Sequence, residues 1–183
     1  MNILAISGSP RPNGNTNYLV DEALSAAQKA GASTSKFVLS EMNIKPCLAH
    51  DKCYSFKRCA QNDDICTMLD KYLEADGVIM ATPVYYFNIS AQMKIFIDRN
   101  YFVSVKRMHP KAKTVGIIVV AESEGIEDTV HTLTQFIDWT FRVSPVNRFI
   151  VTGYATRAGD IRREAEVIEK AQEMGRKMAV VAK

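Results

Sequence analysis

The stretch Ser7-Gly8-Ser9-Pro10-Arg11-Pro12-Asn13-Gly14-Asn15-Thr16 stands between two segments of different periodicity. Before it, Asn2 to Ser7 is a short apolar run rich in Ile and Leu, which reads as a strand. After it, Asn15 to Ala30 sets Leu19, Ala23, Ala26, Ala27 and Ala30 at helical spacing and is closed by Gly31. The stretch is thus a strand-to-helix turn. Two hydroxyls (Ser9, Thr16), Gly8, Gly14 and Arg11 meet there at a helix N-terminus, where backbone N–H groups and the helix dipole favour an anion. A nucleotide-triphosphatase loop needs Gly-Lys-Ser/Thr, but Gly14 is followed by Asn15 and Thr16; a dinucleotide fingerprint needs a third glycine. The anion that fits is a terminal phosphate monoester. The plainer alternative is a turn with an incidental cap.

Outward from this loop the same rhythm repeats. Ser33 to Ser40 reads as a strand, Asp63 or Asp64 as the cap of a helix to about Ala75, and Gly77 to Thr82 as a buried strand closed by Pro83. Ile89, Met93, Phe96 and Ile97 mark a further helix, and Thr114 to Ala121 is the most strand-like segment of the chain. A helix from about Ile126 to Phe141, a strand from Arg148 to Gly153 and a helix from about Asp160 to the end follow. Continuous apolar strands between amphipathic helices imply a parallel sheet covered on both faces. Such sheets bind ligands outside the carboxyl ends of their strands, which directs attention to residues 7–16, 82–90 and 121–126.

Composition agrees. The 183 residues suit one domain, residues 1–183, with a cysteine-bearing loop at about 41–62. A net charge of +3 is too mild to argue for nucleic acid. The longest apolar run, Val115 to Ala121, falls well short of the roughly 20 residues of a spanning helix. The first residues pass straight into a strand without a basic segment, so neither a secretory signal nor a membrane partner is expected, and the expected setting is cytoplasmic.

The loop Thr82-Pro83-Val84-Tyr85-Tyr86-Phe87-Asn88 leaves the third strand with three adjacent aromatics, a flat apolar surface for a planar ring. Core packing or a subunit contact is the plainer reading. The third loop, Ala121-Glu122-Ser123-Glu124-Gly125-Ile126, brings two glutamates that suit solvent or a helix's first turn.

Gly-Ser-Pro-Arg-x-x-Gly-Asn-Thr after the first strand resembles the NADPH-dependent FMN reductase and iron–sulfur flavoprotein group of flavodoxin-like proteins. The likeness continues at Pro46-Cys47, Asp63-Asp64, Glu74-Ala75-Asp76-Gly77, Thr82-Pro83-Val84-Tyr85-Tyr86 and Met93-Lys94-x-Phe96-x-Asp98-Arg99. It covers about the first 100 residues by motif and the rest by strand–helix rhythm. It implies a flavodoxin-like α/β three-layer sandwich, with a five-stranded parallel sheet in the order 2-1-3-4-5. It also implies FMN, its phosphate on Ser7, Ser9, Arg11, Asn15 and Thr16. Its isoalloxazine ring would lie against Pro83, Val84, Tyr85, Tyr86 and Asn88, with Glu122 and Ser123 as the third loop's contacts. Asp98 and Arg99 match a recurring pair, read here as an ion pair or cap tying helix to loop.

The four cysteines fall within 20 residues: Cys47-x-x-His50-x-x-Cys53, then Cys59 and Cys66. So close a set, in a chain large enough to need no staples, reads as reduced thiols or metal ligands rather than a disulfide framework. Resembling iron–sulfur flavoproteins carry a compact run of four cysteines, and here His50 takes the second position. Cys47, His50, Cys53 and Cys59 are the candidate metal ligands; Cys66 would complete a thiolate set if the loop folds back. A metal-free segment comes first, an iron–sulfur cluster second and a Cys3His zinc site third.

The leading reading is an FMN-binding oxidoreductase fed by NADPH or NADH, with an unidentified electron acceptor. The alternatives are an electron carrier that docks with protein partners, and a phosphate-binding regulatory domain without flavin. Tyr85, Tyr86, Phe87, Phe96, Tyr101 and Phe102 exceed what one flavin needs, which predicts a homodimer or homotetramer.

Overall fold

A computed structural model of the chain describes residues 1–181; the predicted continuation of the last helix through 182 and 183 lies outside them. The strands are β1 (Asn2–Ser7), β2 (Ser33–Val38), β3 (Gly77–Tyr85), β4 (Asn88–Ile89), β5 (Thr114–Ala121) and β6 (Arg148–Tyr154). The helices are α1 (Asn15–Lys29), α2 (Ile65–Glu74), α3 (Ala91–Arg99), α4 (Tyr101–Val105), α5 (Ile126–Thr140) and α6 (Ala165–Val181).

Five strands pair in parallel in the order β2-β1-β3-β5-β6, which is the expected 2-1-3-4-5 order. The sixth, β4, lies off this path and folds back antiparallel on the end of β3 through Val84↔Ile89 and Tyr85↔Asn88. A two-residue strand has too short a pattern to be read from sequence. The period-two alternation divides the core. Leu4, Ile6, Val78, Met80, Ile117 and Val119 face α2, α3 and α5, where Tyr72 meets Phe96 and Phe141 edge to face. Ile3, Ala5, Ile79, Ala81, Ile118 and Val120 face α1 and α6.

Two boundaries differ from expectation for physical reasons. Pro83 does not close the third strand, which runs on to Tyr85. The Ala81 carbonyl accepts from Gly8 N–H, so Ala81 and, two residues on, Pro83 face the β1 side, where β1 has already ended at Ser7. The missing N–H therefore costs no ladder bond. The final helix does not begin at Asp160. Asp160–Arg163 forms a 3-10 turn that buries Ile161, and the α-helix starts after it at Ala165. Phe96 and Phe102, expected as surface aromatics, are buried.

Candidate functional site

The loop after β1 is held to the sheet by buried groups. Gly8 N–H donates to the Ala81 carbonyl at 2.8 Å, and Ser90 Oγ donates to the Gly8 carbonyl at 2.6 Å. Ser90 caps α3 by accepting from Met93 N–H, and its own N–H donates to Thr82 Oγ1 at 3.0 Å. This lacing brings the N-terminus of α3 against the loop. A Cβ at Gly8 would lie 2.7 Å from Ser90 Oγ and 2.8 Å from Met93 Cβ, so only glycine fits.

At the other end of the loop, the residue preceding α1 is Gly14, which has no side chain to cap the helix. The N–H groups of Asn15, Thr16 and Asn17 find no acceptor among the described residues. The Arg11 guanidinium is exposed, and no carboxylate pairs with it among the described residues. Arg11 and the first residues of α1 therefore bring unfilled donors to one cleft.

Ser9, Arg11, Asn15 and Thr16 line one cleft with Pro83, Val84, Tyr85 and Glu122. A second cleft of about 300 Å³ adjoins it and shares Val84 and Glu122; Tyr86, Phe87, Ser123 and Glu124 complete it. The two loops meet closely at Gly125, whose φ is +86 and whose missing Cβ would sit 2.6 Å from Phe87 Cα. Glu122 and Glu124 are exposed and lie before α5; its first-turn acids are Glu127 and Asp128.

Three expected residues are placed otherwise. Ser7 is fully buried beneath the loop, its Oγ accepting from Ser9 N–H at 3.3 Å. The Asn15 side chain, though at the cleft, is engaged with the loop after β6: Oδ1 accepts from Gly159 N–H at 2.8 Å and Nδ2 donates to the Arg157 carbonyl at 2.9 Å. Asn88 turns back on its own hairpin, Oδ1 accepting from Ile89 N–H. The cleft also includes Ala155 and Thr156. The rule that ligands gather at carboxyl ends of parallel strands applies to β6 as well, and would have found them.

The cysteine segment is built differently. Arg99, at the end of α3, has a side chain with no exposed surface. It pairs with Asp63 at 2.6 Å and donates to the Lys45 carbonyl at 2.7 Å and to Cys59 Sγ at 3.2 Å. Asp98 faces away and pairs with Lys94 on the surface. The two therefore do not pair with each other; Arg99 alone ties helix to loop. Burial pushes the Asp63 carboxyl up, but hydrogen bonds from Arg99 and from the N–H groups of Lys45 and Ile65 outweigh it and hold the carboxyl below its usual range.

Burial, then the neighbouring Cys59 and Cys47, push the Cys53 thiol up. Cys66 Sγ, near the start of α2, donates to the Cys59 carbonyl at 3.5 Å. His50 Nδ1 accepts from Lys52 N–H at 3.1 Å, and its ring packs edge-on against Phe56. Among the described residues no three His, Cys, Asp or Glu side chains are grouped to hold a metal ion. None of the helices among them is long and apolar enough to cross a membrane.

Comparison with known proteins converges on one group. An iron–sulfur flavoprotein of Methanocaldococcus jannaschii is 33% identical over 190 residues, covering 100% of this chain and 98% of that protein. One from Archaeoglobus fulgidus is 34% identical, covering 98% of this chain and 79% of the other. Among solved structures, an NAD(P)H:quinone oxidoreductase from Methanothermobacter marburgensis superposes with a TM-score of 0.74 at 13% identity, covering 96% and 98% of the two chains. A flavodoxin from the domain Archaea superposes at 0.62 and 11%, covering 100% and 99%. These two likenesses show the fold, which is flavodoxin-like. Residues 1–156 match the pattern of NADPH-dependent FMN reductases, and that is the family to which the chain belongs.

Proposed function

We propose that the chain is an FMN-binding, NAD(P)H-dependent flavin oxidoreductase whose cofactor sits in the paired clefts at the carboxyl ends of β1, β3 and β5. One observation carries this reading. The unfilled N-terminus of α1, with a free Arg11, opens into the same cleft as the Pro83–Tyr85 wall. A phosphate and a flat ring joined by a short chain match that pair of surfaces.

When bound, FMN supplies the redox chemistry, accepting hydride from a nicotinamide nucleotide and passing electrons to a second acceptor. The chain's part is binding and orientation. Arg11 offers a charged fork, and Thr16 a hydroxyl, to the phosphate; the backbone N–H groups of the first turn of α1 add to them. Ser9 shapes the loop, its Oγ bonding to the backbone of Arg11. Pro83, Val84 and Tyr85 form an apolar wall, and Ser123 and Glu122 border the open side. Neither a nucleophile nor a general acid is required of the protein.

The donor set of the cysteine segment does not fit a four-thiolate cluster as it stands. The compact run supplies three thiolates, Cys47, Cys53 and Cys59, and at its second position the imidazole of His50, whose Nδ1 accepts from Lys52 N–H.

Purified protein should oxidise NADPH or NADH steadily in the presence of FMN. Reduction by a partner protein alone would support a carrier instead. Association is part of the same reading: Tyr86 is 98% and Phe87 58% exposed beside the cleft, which favours a homodimer or homotetramer. A monomeric mass by light scattering would overturn that.

A further inference from the structure

A second kind of cleft opens at the opposite end of the strands. It has a volume of about 400 Å³ and lies between the end of α4 and the end of α5, lined by Arg107, His109, Trp139, Thr140 and Arg142. Helix α5 leads into β6, so its last turn stands at the amino ends of the strands, away from the loops described above. The volume falls in the range of small-molecule sites.

The lining has a definite chemistry. Trp139, the chain's only tryptophan, is 79% exposed and offers a flat apolar face. Arg107 and Arg142 are exposed, and no carboxylate pairs with either among the described residues. Arg142 Nη2 lies 3.1 Å from His109 Nε2, and a guanidinium only donates. His109 Nε2 therefore accepts, and the ring proton sits on Nδ1, which lies 3.4 Å from the Thr140 carbonyl. The imidazole Nε2 is placed to orient the Arg142 guanidinium.

Arg107 stands at φ +53, just past the end of α4. Met108 N–H donates to the Val103 carbonyl and Arg107 N–H to the Ser104 carbonyl, the closing pattern that usually takes glycine. Thr140, the last residue of α5, lines the same cleft.

We propose that this cleft binds a small planar aromatic anion, a ring bearing one carboxylate or one phosphate. The ring would lie against Trp139, and the acid would meet Arg107 and Arg142. The site is independent of the flavin reading, since it shares no residue with the paired clefts.

Trp139 is its own reporter. With FMN present in excess, 5′-AMP and benzoate would be titrated against tryptophan fluorescence, with adenosine and inorganic phosphate as the ring-only and acid-only controls. A saturable change with AMP or benzoate, much weaker with either control, is expected. AMP alone would assign a phosphate and benzoate alone a carboxylate. Arg107→Gln and Arg142→Gln should each weaken it about tenfold or more, the loss of a charge-assisted hydrogen bond. In Trp139→Leu, ligand-induced thermal stabilisation should fall as well. No saturable response to either probe at millimolar concentration, or one that both arginine variants leave unchanged, would overturn the proposal.

Discussion

The loop at 7–16 and the cysteine segment at 42–64 are both irregular, and they are held in opposite ways. The first is fastened by its own backbone to the middle of the sheet, through Gly8 N–H to Ala81 and the Gly8 carbonyl to Ser90. The second is hung from side chains. Asp64 accepts from Asn43 N–H, Asp63 from Lys45 N–H, and Gln61 donates to the Pro46 carbonyl, while Arg99 grips three partners from below. The first loop depends on no single charged side chain for its attachment to the sheet. A loop hung on one buried ion pair depends on both charges.

The largest effect should therefore come from Arg99. Removing one member of a buried pair leaves the other charge unpaired, which costs about 3–5 kcal/mol. Arg99→Ala should lower stability by that amount and raise hydrogen exchange across 42–64 while 7–16 stays protected. Equal loss of protection in both loops would break the comparison.

Acid should act on the same contact. Because the fold holds the Asp63 carboxyl below its ordinary range, its stabilisation is present above about pH 3.9 and lost as pH falls through the lower folded value. Exchange in the cysteine segment should rise in that window, and Asp63→Asn should remove the pH dependence.

The phosphate loop should break by crowding instead. Gly8→Ala places a Cβ against Ser90 Oγ and Met93 Cβ, an overpacking of about 1–3 kcal/mol. Its damage should spread to the 82–90 loop and leave the cysteine segment intact. The smallest effect is expected one residue from the largest. Asp98→Ala removes an exposed i,i+4 partner of Lys94 and should cost about 0.3–0.5 kcal/mol. Thermal or urea unfolding of the two variants compares Asp98 with Arg99 directly.

Much of this was legible in the residues. Apolar strand and helix segments in alternation defined the sheet and its covering helices, because strands buried on both faces read as continuous apolar runs and helices buried on one face keep a 3.6-residue period. The turn before α1 pointed to the proposed anion site through what it lacked as much as what it held. Other features depend on distant partners. Asn15 is drawn to Gly159 and Arg157, and nothing near Asn15 in the chain signals that. Asp98 and Arg99 are adjacent and both charged, yet one is solvated and the other fully buried, because only Arg99 points at the segment 36 residues earlier. The β3–β4 hairpin rests on Tyr86 and Phe87 at φ +46 and +65, a conformation aromatic side chains rarely advertise.

The central claim is that the 7–16 loop anchors a flavin phosphate. FMN titrated into flavin-free protein, followed by flavin fluorescence, tests it most directly. Hydrogen bonds to a charged group contribute roughly 1.5–3 kcal/mol each, so Arg11→Ala and Thr16→Ala should each weaken FMN binding about 10- to 100-fold with the unfolding midpoint unchanged. FMN affinity that is the same in both variants as in the natural chain would contradict the account.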